Sequence, residues 1–231
     1  MGDMADGYRE RETRLPGVTV WTRGSGGGRY RVLPDGCMDL IWYDGGLLIA
    51  GPDTVAQLAD DKPGGRYAGL RFAPGAGPAL LSVPARELRN SRVPLDAAWA
   101  GTAARLLTER IAADPAAGLE TWARQRIRAA GPADPLTAAV AAALGAGHPV
   151  AAVAARTGLG ERQLRRRCAA AFGYGPKTLA RVLRLQRALT LARAGTPYAT
   201  VAAESGYADQ PHLSREVRAL TGVPLTELLA E

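Results

Sequence analysis

One stretch of this chain is written twice. Val153-Ala154-Ala155-Arg156-Thr157-Gly158-Leu159 returns as Val201-Ala202-Ala203-Glu204-Ser205-Gly206-Tyr207, 48 residues further on. Leu164-Arg165-Arg166 pairs with Leu213-Ser214-Arg215 at an offset of 49, and Gly173-Tyr174-Gly175-Pro176 is echoed by Gly222-Val223-Pro224. The change of offset places a one-residue insertion near Ala208. A duplication of this length fixes the architecture before any motif is consulted, because two copies of one supersecondary unit must fold alike.

Each copy reads as helix, tight turn, helix. A short Ala/Val helix starts after Pro149 or Pro197, with Thr196 an expected N-cap for the second. It stops at Gly158 or Gly206, where a positive φ lets the chain turn sharply. A second helix starts at Gly160 or Asp209, and Pro211 is tolerable in its first turn. This is the helix-turn-helix pattern, and two matches carry far more weight than one.

The second helices divide into an inward and an outward face. Leu164, Cys168 and Ala171 should face a core, leaving Arg162, Arg165 and Arg166, with Gln163, on the outside. In the second copy Leu213 and Val217 point inward, and Gln210, His212, Ser214 and Arg215 are candidates for base or phosphate contact, with Glu216 beside them. Arginine suits a major groove because its planar fork bonds guanine O6 and N7 together. Between the copies, Pro176 to Ala194 forms a helix with Leu179, Val182, Leu185, Leu189 and Ala192 on one stripe. It should span about 28 Å, close to the roughly 34 Å that separates successive major grooves. Arg181, Arg184 and Arg187 form a second stripe, which faces either phosphate or water.

Charge agrees with this placement. The 231-residue chain has net charge +7, yet residues 156 to 193 alone hold ten bases against Glu161, leaving the remainder at −2. One segment thus holds the whole cationic excess and is drawn to polyanions. Two distant cysteines, Cys37 and Cys168, argue against a disulfide framework and for a reducing cytoplasm. The Ala-rich stretch from Thr137 to Ala155 is too weakly apolar to span a bilayer, so no membrane partner is expected.

The N-terminal part has a different texture. Residues 1–17 read as a mobile tail. Strands follow at Val18–Thr22, Tyr30–Leu33, Cys37–Tyr43, Leu47–Ala50 and Tyr67–Phe72, with Asp44-Gly45-Gly46 turning a hairpin. Gly24 to Gly28 reads as a flexible loop. From Leu95 the spacing becomes helical: Asp96 should cap a helix carrying Trp99, then Leu106, Leu107 and Ile111, then Leu119, Trp122, Ala123 and Ile127 recur at helical intervals. Gly131-Pro132-Ala133-Asp134-Pro135 is the best domain boundary. The expected class is a multidomain α+β protein: a small β-barrel or cupin-like region over 18–93, a helical hairpin over 94–131 as linker or dimerisation region, and an all-α tandem helix-turn-helix domain over 132–231.

At these residues the chain resembles the AraC/XylS family of bacterial regulators. The resemblance covers about Thr137 to Leu229 and is carried by the two units, by Phe172-Gly173-Tyr174-Gly175-Pro176 leading into the linker helix with Arg184-Leu185, and by Gly206-Tyr207-Ala208-Asp209-Gln210-Pro211-His212-Leu213-Ser214-Arg215. It implies binding to double-stranded DNA with each second helix in a major groove, and transcription activation through RNA polymerase. Matching positions make Arg162, Arg165 and Arg166 the first set of base readers, and Gln210, Ser214 and Arg215 the second. Cys168 and Val217 stand where the family commonly has a large aromatic, so both small cores are expected to be less full. The N-terminal part is similar to the divergent β-barrel sensor region of some such regulators, through Leu33-Pro34-Asp35-Gly36-Cys37-Met38-Asp39-Leu40, Gly51-Pro52 and Gly69-Leu70-Arg71-Phe72-Ala73-Pro74-Gly75. That likeness implies sensing of a small-molecule effector, with Trp21, Cys37, Trp42 and Arg71 as its expected contacts, or homodimerisation.

No catalytic constellation and no cofactor motif is found. Gly24 to Gly28 lacks the Lys-Ser/Thr of a phosphate loop. Cys37, Cys168, His148 and His212 lack the spacing of a metal site. The alternative to an effector-responsive regulator is a thiol-reactive sensor or enzyme domain working through Cys37, fused to the DNA-binding domain. Asp35 and Asp39 beside Cys37 would raise its pKa and oppose that chemistry.

Overall fold

A computed structural model describes residues 7–131 and 134–230. The first part holds strands β1 (Arg9–Glu12), β2 (Val18–Gly24), β3 (Gly28–Val32), β4 (Met38–Tyr43), β5 (Gly46–Ala50), β6 (Gln57–Asp61) and β7 (Arg66–Phe72), then helix α1 (Gly77–Leu81), strand β8 (Arg92–Pro94) and helices α2 (Leu95–Ala98), α3 (Gly101–Ile111) and α4 (Pro115–Ala130). Six strands form one antiparallel sheet in the order β1-β2-β7-β4-β5-β8, and β3 and β6 make a separate ribbon. The β4–β5 hairpin turns on Asp44 and Gly45, both with positive φ (50° and 76°), the backbone that matches strand twist.

One face of the sheet is apolar. Val18, Val20, Met38, Leu40, Ile49, Leu70 and Phe72 pack there with Leu81, Leu107, Ile111, Leu119 and Trp122 of the helices. Helices α2 to α4 therefore complete the core of the sheet and do not stand apart from it as a linker. Their local details also differ from expectation. Pro94, not Asp96, is the N-cap of α2, which ends at Ala98, and the Trp99 indole instead donates to the Leu81 carbonyl at 2.7 Å. Leu106 is 48% exposed.

The supposed tail is structured from Arg9 to Glu12, which pair with Thr22 to Thr19 of β2. Its four residues alternate base and acid and are all exposed, so hydropathy gives no signal, and the charges suit a protected edge. Residues 1–6 lie outside the described residues.

The second part is entirely helical, in keeping with the sequence reading: α5 (Pro135–Gly145), α6 (Val150–Arg156), α7 (Glu161–Phe172), α8 (Pro176–Arg193), α9 (Tyr198–Ser205), α10 (Gln210–Thr221) and α11 (Leu225–Leu228). Of the expected boundary, Pro132 and Ala133 lie outside the described residues, while Asp134 caps α5 through the Leu136 N–H at 3.0 Å. Two cores result. Val140, Leu144, Val153, Leu164, Cys168 and Phe172 form the first with Leu179 and Val182 of α8. Val201, Tyr207, Leu213, Val217 and Leu220 form the second with Leu185, Ala188, Leu189 and Ala192 of the same helix. One rod thus belongs to both units, its first half to one core and its second half to the other.

One expectation about these units needs correction. Pro197, not Thr196, is the N-cap of α9. In the first core Cys168 is 1% exposed, and a small apolar pocket opens beside it, lined by Val140, Leu164 and Phe172 among others.

The sheet domain is seated on both units. Leu33 packs on the second core, the Gln186 amide donates to the Pro34 carbonyl at 2.7 Å, and the Ala56 N–H donates to the Leu220 carbonyl at 2.7 Å. Arg31 donates to the Thr221 carbonyl at 2.8 Å, at the C-terminus of α10. At the equivalent end of α7, Gly173 lies against Pro52 and the Ala85 carbonyl.

Candidate nucleic-acid interface

The outward faces of α7 and α10 are built by local sequence. Gly160 precedes α7, and its N–H donates to the Gln163 side chain at 3.1 Å, so Gln163 acts first as a capping group. Leu164, Cys168 and Phe172 anchor α7 in its core, and that spacing turns Arg162, Arg165 and Arg166 to solvent, where all three are exposed. Arg167, on the flank, meets Asp134 at 3.5 Å. Among the described residues no ion pair involves Arg162, Arg165 or Arg166.

In α10, Asp209 caps the helix by accepting from the His212 N–H at 2.6 Å. His212 is also engaged locally: its Nδ1 accepts from the Ala208 N–H at 3.2 Å, and its ring stands edge-on to Tyr207 at 5.4 Å. It is half-buried, whereas Gln210, Ser214 and Arg215 are exposed. Arg218, one turn beyond Arg215, is exposed as well, and its i, i+3 spacing sets it on the same face.

The arginine stripe on α8 is engaged within the protein. Arg181 holds Glu216 of α10 with two hydrogen bonds, at 2.9 and 3.2 Å. Arg184 donates to the Gly206 carbonyl at 3.2 Å and stacks over the Tyr207 ring, its guanidinium carbon 4.5 Å from the centroid. Arg187 donates to the Gly145 and Glu204 carbonyls, tying the end of α5 to the end of α9. These cations brace the two units against the rod. The pairing also settles Glu216: hydrogen bonding to Arg181 holds its carboxyl below the usual glutamate range, and its charge is met before it can repel a phosphate.

In the sheet domain, Trp21, Cys37 and Arg71 are brought together on the face opposite the main core. The Trp21 indole donates to Asp39 at 2.7 Å, Arg71 lies 3.3 Å from Asp39 and 2.9 Å from Glu10, and the Cys37 N–H donates to Asp35 at 2.8 Å. Burial, then Asp35 and Asp39, push the Cys37 thiol well up, which keeps it protonated and poorly nucleophilic. Burial also lifts Asp39 to about 6. Trp42 is separated from this group: it packs with the apolar core on the other face, as strand alternation requires. The four expected effector contacts therefore do not line one site. Tyr174, from the turn after α7, is buried near the polar cluster, and burial followed by Asp35 pushes its phenol up. Among the described residues, no group of three or more His, Cys, Asp or Glu side chains could hold a metal ion. Among the same residues, no helix is long and apolar enough to cross a membrane.

Comparison with known proteins agrees with this geometry. Residues 153–231 match the family model described as a helix-turn-helix domain, and residues 18–94 match a domain of unknown function. No curated protein matches the chain. A probable AraC family transcriptional regulator from Rhodopseudomonas palustris has a solved structure with 24% identity, covering 42% of this chain and 96% of its own, at a TM-score of 0.37. An apo variant of ToxT from Vibrio cholerae aligns over 96% of this chain and 99% of its own, with 12% identity and a TM-score of 0.51. ToxT bound to (E)-4-(8-methylnaphthalen-1-yl)but-3-enoic acid gives 12% identity, 92% and 97% coverage, and a TM-score of 0.49. The chain thus joins a stretch that matches a domain of unknown function to a stretch that matches a helix-turn-helix domain, within a fold like that of ToxT.

Proposed function

We propose that this protein is a sequence-specific transcription regulator that lays α7 and α10 in two successive major grooves of double-stranded DNA. One observation carries the reading. Arg162, Arg165 and Arg166 on α7, and Gln210, Ser214 and Arg215 on α10, are exposed at matching ends of one shared rod, while Arg181, Arg184 and Arg187 of the rod are engaged in internal bonds. Cations left without counter-ions on a recognition helix are the footprint expected of a groove reader. His212 and Gln163 take supporting parts, fixing the first turns from which the readers project.

In this reading the sheet domain is the sensing part, RNA polymerase is the partner of the DNA-bound form, and the cytoplasm is where it works. A small-molecule effector and a second copy of the chain are the further partners. Support for sensing is the Trp21–Asp39–Arg71 cluster, whose neighbour Asp35, 3.8 Å from Arg71, acts on the buried Tyr174 of the first unit. Thiol chemistry at Cys37 has no such support, since its surroundings stabilise the protonated form.

The test is Arg166→Ala, measured on duplexes selected by the full chain from a random pool. Affinity should fall by about 1–3 kcal/mol, with preference relaxed at the bases concerned. Unchanged affinity together with unchanged preference would remove α7 from the reading role.

A further inference from the structure

We propose that the sheet domain itself touches DNA: Arg89 joins Lys177 in gripping the phosphate backbone that borders the groove into which Arg162 and Arg165 of α7 reach. The inference rests on the DNA-binding reading above and extends the contact surface beyond the helical domain. These four cations line one open cleft of about 790 Å³, together with Thr54 on the sheet side and Glu161 as the acid on the helical side. The cleft lies between the loops of the sheet domain and the first turns of α7 and α8.

Three observations point to a polyanion there. First, Arg89, Arg162, Arg165 and Lys177 are all exposed, and among the described residues none of them is in an ion pair. Like charges facing one another across a cleft repel, and the arrangement becomes favourable only when an anion enters. Second, the loop carrying Arg89 is held in place. The neighbouring Asn90 accepts from the Thr54 N–H at 2.7 Å and its hydroxyl at 3.1 Å, and donates from its own N–H to the Pro52 carbonyl at 3.2 Å. Third, Arg162 and Arg165 sit on the same side of α7 as this cleft, so an occupant that engages the helix must pass it. A continuous phosphate chain suits an open cleft lined on both walls, and phosphate contacts of this kind set register without reading sequence.

The experiment compares the full chain with Arg89→Ala, Arg89→Lys and Arg165→Ala on a pool of 30-bp random-sequence duplexes at several salt concentrations. Each lost phosphate contact reduces the slope of log affinity against log salt by about 0.9. Arg89→Ala should flatten the slope by that amount and weaken all sequences alike, and Arg89→Lys should restore most of both. Because Arg89 is exposed, thermal unfolding should be unaltered. If Arg165→Ala weakens binding while Arg89→Ala leaves affinity and slope at the parent values, the sheet domain stays clear of DNA and the proposal fails, with the DNA-binding reading intact. Absence of salt-sensitive binding by the parent chain would overturn both.

Discussion

Gly173 and Gly222 occupy the same place in the two repeats, as the residues that end α7 and α10, with φ of 81° and 84°. Replacing either by alanine forces an L side chain into the left-handed region, at a cost of roughly 1–2 kcal/mol. Their surroundings differ. A Cβ at Gly222 would meet only the Arg31 guanidinium at 3.5 Å, an ordinary contact. A Cβ at Gly173 would lie 2.6 Å from the Pro52 ring and 3.0 Å from the Ala85 carbonyl, both on the sheet domain and neither free to swing away. Overpacking of this kind adds about 1–3 kcal/mol. Gly173→Ala should therefore destabilise the full chain by that much more than Gly222→Ala, which corresponds to roughly 2–12 °C in thermal midpoint for a chain of this size. In a fragment of residues 134–231 the difference should vanish, since Pro52 and Ala85 are gone. Limited proteolysis near residues 131–134 should also be faster in Gly173→Ala, because parting the domains relieves the clash. Equal losses for the two variants in the full chain would refute the seating of the sheet domain on the end of α7.

Two further outcomes follow from the polar cluster of the sheet domain. Asp39, lifted by burial from 3.8 to about 6, binds its proton more tightly folded than unfolded. The stabilisation from its protonated form is fully present below about pH 3.8 and lost as pH rises through about 6. Asp39→Asn, which keeps an acceptor for Trp21, should remove that slope from denaturation midpoints measured between pH 4 and 7; an unchanged slope would assign it to another group. Cys37 should react with iodoacetamide at neutral pH far more slowly than a free thiol, since burial and two carboxylates disfavour the thiolate; fast, site-selective alkylation would revive thiol chemistry.

The helical domain was legible because it is duplicated and because its punctuation is chemical. Gly160 and Asp209 mark the starts of α7 and α10 where the structure has them, and the rod expected from Pro176 to Ala194 runs from Pro176 to Arg193. What stayed hidden depends on distant partners. The spacing of Arg181, Arg184 and Arg187 gives a face, but their acceptors are Glu216, Gly206, Glu204 and Gly145, supplied by other helices. Strands β1 and β6 escaped because Arg9–Glu12 and Gln57–Asp61 are rich in charge and polarity and have no buried residue. Trp21 and Trp42 looked like partners by residue type, yet lie on opposite faces of one sheet. Arg89 carried no signal in the sequence, since its importance comes only from the cleft it shares with α7.

Hydroxyl-radical footprinting of the full chain on a selected duplex tests the two-groove reading most directly. Two protected stretches on one face of the duplex, centred about 10–10.5 bp apart, are expected, with binding lost when 5 bp are inserted between them. A single protected stretch, or binding indifferent to that insertion, would contradict the joint use of α7 and α10.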